Sequence, residues 1–92
     1  MASTIHKYVL PLDDEVQVQM PEGAKIVKVA DQHSNGELQI WAVVDPSAEK
    51  EPRTFHVVGT GNPMPETGYV KHVDTVLSLN GAFVWHVFER VS

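Results

Sequence analysis

Ninety-two residues with a formal net charge of −5, twelve acids against seven Lys and Arg, fit a single acidic domain near the lower size limit for a self-sufficient core. That balance excludes a duplex-binding surface, which needs clustered cations; Lys25 and Lys28 are the nearest approach to a basic cluster. The lack of cysteine excludes a disulfide framework and a thiolate metal site, and no apolar run reaches membrane-spanning length. The start, MASTIHKYVLPLDDE, has no long apolar stretch of the signal-peptide kind, so a soluble, cytoplasmic protein is expected.

In chain order, Ile5 to Leu10 is β-prone and stops at Pro11, and Asp13-Asp14-Glu15 reads as a solvated turn. From Glu15 to Met20, Val16, Val18 and Met20 alternate with Gln17 and Gln19, the period of two expected of a half-buried strand. Pro21-Glu22-Gly23 is a turn, Lys25 to Ala30 resumes an extended pattern, and Ser34-Asn35-Gly36 is a hairpin signal leading to a partner strand from Leu38 to Val44. Asp45 to Pro52 is polar and bracketed by prolines, hence a surface loop. Arg53 to Val58 is a further strand. Tyr69 to Leu79 follows the next loop, and Asn80-Gly81 marks a second hairpin into Ala82 to Arg90. No window holds a helical apolar stripe over three turns. The expectation is one all-β domain over residues 1–92: a small antiparallel sandwich or barrel of about seven strands, with little or no helix.

The predicted core comprises Val9, Val16, Val18, Ile26, Ile40, Ala42, Val57, Leu77 and Val87. Two strands are apolar on both faces. In one, Trp41 and Val43 oppose Leu38, Ile40, Ala42 and Val44; in the other, Val84 and Phe88 oppose Phe83, Trp85 and Val87. Such strands are normally covered on both sides, either by loops or by a second subunit. An apolar C-terminal strand left at an edge would add to the second reading. A homo-oligomer is therefore expected, with Trp41 or Trp85 at the contact.

The connection GTGNPMPETG, Gly59 to Gly68, holds three glycines and two prolines and is the longest loop predicted, and long loops in small domains are often functional. Thr60 is the one hydroxyl framed by glycines, an arrangement whose amides can form an anion nest, although no phosphate-loop lysine follows. His6, His33, His56, His72 and His86 show no metal-ligand spacing, and no serine sits in a nucleophile elbow. The chain reads as a non-enzyme without metal or cofactor.

Four segments, IHKYVLPLDDEVQVQMPEGAKIVKV, QIWAVVDP, RTFHVVGTGNPMPE and GAFVWHVFE, resemble a family of small proteins carried by bacteriophages and prophages, a domain of unknown function. The resemblance runs from Ile5 to Glu89 and implies a phage-associated accessory protein in the bacterial cytoplasm, without implying catalytic residues. Within that setting the expected role is binding of a small polar or nucleotide-like ligand, for example sequestering an immune signal as counter-defence. Gly59, Thr60, Gly61 and Asn62 would supply amides and polar groups, Trp41 or Trp85 a stacking ring, and Arg53 or Lys71 a cation for phosphate. The alternatives are a protein-binding inhibitor of a host defence protein, similar to an anti-CRISPR, a structural virion accessory, and a cryptic hydrolase or isomerase.

Overall fold

Alternation of Val16, Val18 and Met20 with two glutamines does produce a strand, with Val16 and Met20 buried and both glutamines exposed. The computed structural model describes residues 2–66 and 68–91, and in them the strands are β1 (Thr4–Leu10), β2 (Val16–Pro21), β3 (Lys25–Ala30), β4 (Leu38–Val44), β5 (Lys50–Gly59), β6 (Val70–Ser78) and β7 (Phe83–Arg90). They form two antiparallel sheets, β1-β4-β3 and β2-β5-β7-β6, and no helix occurs among the described residues. The protein is a seven-stranded sandwich only 15 Å thick along its shortest principal axis, as two stacked sheets require.

The core lies between the sheets. Leu38, Ile40, Ala42 and Val44 point inward from β4 and meet Phe55, Val57 and Val87 from β5 and β7, with Leu10, Met20, Val29 and Val76 closing the periphery. Val18 and Ile26 pack against this cluster half-buried. Two residues expected in the core face solvent. Val9 is 53% exposed, because Leu10 and Tyr8 take the inward positions on β1 and strand parity turns Val9 out. Leu77 is 65% exposed, because a β-bulge between His72 and Asp74 reverses the parity of β6 and puts Val76 inside instead.

Two further expectations change. The surface loop after Asp45 is shorter than expected: β5 begins at Lys50, and Pro52 lies within it opposite Gln19. β5 pairs with β7 only from Phe55 onward, so Pro52 occupies a stretch with ladder bonds on one side alone. The apolar C-terminal strand β7 is not an edge but lies between β5 and β6, which removes the edge argument for self-association. Both hairpin signals hold, with left-handed backbone at Ser34 and Gly36 and at Leu79, Asn80 and Gly81.

Carboxylates tie the sheets together at their margins. Asp31 accepts from Ser78 Oγ at 2.6 Å and from the amides of Asn35, Gly36 and Leu79, which joins the β3–β4 turn to the end of β6. The bond from Ser78, with the amides, holds its carboxyl below the ordinary aspartate range against the opposing effect of desolvation. Asp74, displaced by the bulge, accepts from Val29 N at 3.1 Å and so satisfies the β3 edge. At the other end Arg53 and Glu89 form a bidentate ion pair between β5 and β7, and Arg53 Nη1 also donates to Ala24 O at 2.6 Å. That contact to Glu89 raises the Arg53 pKa further, outweighing burial.

Candidate functional site: a cleft under the glycine-proline loop

After β5 the chain must turn sharply, and its composition sets how. Asn62 N donates to Gly59 O at 3.0 Å, with Gly61 at φ +90°, the geometry of a type II turn whose third residue is best served by glycine. Gly59 has a different reason. A Cβ there would stand 3.0 Å from Asn62 Nδ2 and 3.2 Å from the Trp85 ring, so the missing side chain lets the indole and the amide close over the backbone. Beyond the turn, Pro63 and Pro65 hold the chain extended without requiring ladder partners. Thr67 lies outside the described residues.

This loop stands over the outer face of β5 and faces the Asp14-Glu15 turn across it. Between them runs a cleft of about 540 Å³, with His56, Val57 and Val58 as its floor and Asn62, Pro63, Met64, Pro65 and Glu66 as its far wall. Parity puts His56 on the outer face of the sheet, yet only 4% of it is exposed, because the two connections fold over it. His56 Nδ1 donates to Asp14 O at 2.9 Å, which leaves the lone pair of the neutral ring at Nε2. That nitrogen is buried with no hydrogen-bond partner. An orphaned buried acceptor costs about 1–3 kcal/mol.

The cleft's charge is one-sided. Asp14, Glu15 and Glu66 contribute carboxylates, and no Lys or Arg lines it among the described residues, although Arg90 reaches Glu15 at 3.3 Å. Beside it runs a chain of hydrogen-bonding groups: Thr60 Oγ1 lies 2.8 Å from His86 Nε2, Thr75 Oγ1 lies 3.1 Å from His86 Nδ1, and His72 Nε2 lies 2.9 Å from Thr75 Oγ1. Among the described residues no three His, Cys, Asp or Glu side chains converge in a way that would hold a metal ion.

The eight residues expected to bind ligand fall into three places. Gly59, Thr60, Asn62 and Trp85 line a second, smaller cleft of about 440 Å³, Gly61 forms the adjoining turn, and Asn62 lines both clefts. Trp85 points inward, stacks on Phe83 with ring centroids 5.9 Å apart, and packs against the core. Arg53 lies on β5 six residues before Gly59, about 20 Å along the strand, and Lys71 lies at the start of β6; both converge on Glu89 rather than on the loop. Trp41 sits half-buried on the outer face of the other sheet. Sequence reasoning did not single out His56, Asp14 and Met64 as a group. A histidine alternating with Phe55 and Val57 carried the only signal, and its burial depends on two loops distant in sequence.

The fold and its loop-roofed cleft define the class: a small antiparallel β-sandwich domain. The chain belongs to the DUF7352 family, a domain of unknown function whose profile covers residues 1–92. Comparison with curated proteins and with solved structures gave no match. Among the described residues no helix is long and apolar enough to cross a membrane.

Proposed function

We propose that this protein is a non-catalytic binding module whose cleft between the Asp14-Glu15 turn and the Gly59–Gly68 loop takes a small polar ligand. The observation that carries the reading is His56 Nε2, a buried acceptor without a partner beneath the floor of this cleft. A ligand that displaces the groups covering His56 presents an N–H or O–H to that nitrogen, which is closed to solvent in the structure, and lays an apolar flank on Val58, Met64 and the prolines. Three carboxylates and no lining cation favour a neutral or cationic group over a phosphate. A nucleobase or nucleoside fits these demands better than a charged nucleotide, with Arg53 already committed to Glu89.

The resemblance to phage and prophage proteins supports a setting in a bacterial cytoplasm, where the domain would act as a phage accessory that sequesters a host signal. Oligomerisation belongs to the same proposal. A thermal-shift screen of amides, amines and nucleosides against their phosphorylated counterparts tests the site. At ten times Kd a ligand adds about 1.4 kcal/mol, several degrees in a domain of this size. Stabilisation by the unphosphorylated donors, lost in His56→Phe and weakened in a Thr60→Ala/Asn62→Ala double variant, is the expected result. Stabilisation by the phosphates alone, unchanged in these variants, places the site elsewhere.

A further inference from the structure

The outer face of the three-stranded sheet carries a pattern that strand pairing creates and that is independent of the cleft. Trp41 occupies its centre, with Lys7 directly opposite on β1 and Lys28 directly opposite on β3. Lys25 stands one row away beside Val43. Three of the chain's seven Lys and Arg thus share one face, in a protein whose formal charge is −5 and whose remainder, with these three set aside, carries −8. The paired positions of this face bear no carboxylate; Glu37, which accepts from Gln39 Nε2, stands at its end. All three lysines are exposed, and among the described residues their one side-chain bond, from Lys7 to Gln32 Oε1, is to a neutral group that leaves the charge unpaired.

We propose that this face binds single-stranded nucleic acid. Adjacent strands lie about 4.8 Å apart, so the two flanking lysine positions stand roughly 10 Å apart on either side of the indole. A base stacked on Trp41 would then have a cation on each side for the phosphates that precede and follow it, the combination by which single strands are held without sequence readout. Cations on both sides favour a continuing strand over a mononucleotide. An acidic peptide would gain from the lysines but not from the ring. A lipid surface fits less well, because the neighbouring apolar side chains Ile5, Val9 and Val27 are shorter than lysine and do not project beyond the ammonium groups. A second copy packed two-fold on this face would set lysine against lysine.

The test is fluorescence anisotropy of a labelled oligothymidylate at low salt, titrated with the whole chain and competed with thymidine monophosphate, poly-glutamate and anionic phosphatidylserine vesicles. Binding is expected with a log–log salt slope of about −2 for three neutralised phosphates. Lys7→Glu/Lys28→Glu, two exposed positions that leave the fold intact, is expected to weaken it at least about tenfold. Trp41→Leu, checked for an unchanged melting temperature, is expected to weaken it about fivefold or more. No binding, binding unchanged in the lysine variant, or competition by the mononucleotide, poly-glutamate or vesicles as strong as by unlabelled oligonucleotide would overturn the proposal.

Discussion

Single residues on the loop and at the sheet corners carry distinct physical duties, and each can be removed separately. Gly59 is glycine because the Trp85 ring and Asn62 amide occupy the space a methyl group would need. Gly59→Ala is therefore expected to cost about 1–3 kcal/mol by overpacking, visible as a lower denaturation midpoint with a shift in Trp85 emission. Asp31 acts through charge. Its pKa is depressed in the folded state, so its stabilisation is complete above the unfolded-state value, about 3.9, and fades as pH falls through the lower folded value. Asp31→Asn is expected to be less stable than the parent at neutral pH, with the gap narrowing below about pH 4. A gap that stays constant into strong acid would mean that geometry alone, not ionisation, gives Asp31 its role.

At the scale of strands, β5 and β7 are joined at one end by Arg53 and Glu89, whose side chains are 14% and 8% exposed. Removing one partner strands the other in a poor solvent, so Arg53→Met is expected to cost about 3 kcal/mol, and adding Glu89→Gln to recover part of it, by urea denaturation. Ligand binding in the cleft should survive both changes, because neither Arg53 nor Glu89 lines it. The elements themselves were legible: the glutamine alternation of β2 and the two Asn-Gly hairpins are local signals, and all gave the expected strands. What escaped depends on pairing. Leu77 was misplaced by a bulge that no local pattern announces. The burial of His56 comes from two loops separated by about half the chain, and Lys7 joins Lys28 only because β4 lies between β1 and β3. The Gly59–Gly68 loop was picked out by composition alone; that Arg53 and Lys71 stand apart from it required the register.

On the scale of the whole molecule, a thin sandwich leaves both sheets with an outer face, and the two faces differ in kind. One is folded over by loops to make an acidic, partly apolar cleft with an unsatisfied acceptor; the other is open, cationic and centred on a tryptophan. Holding a ligand is the role proposed for the cleft. The most direct measurement is the native mass spectrum of the protein purified from its own cells, beside that of His56→Phe purified in the same way. The account predicts an added small-molecule mass on the parent protein, released on denaturation and missing from the variant although the variant remains folded. A parent protein carrying no added mass, or a mass retained equally by His56→Phe, would contradict it.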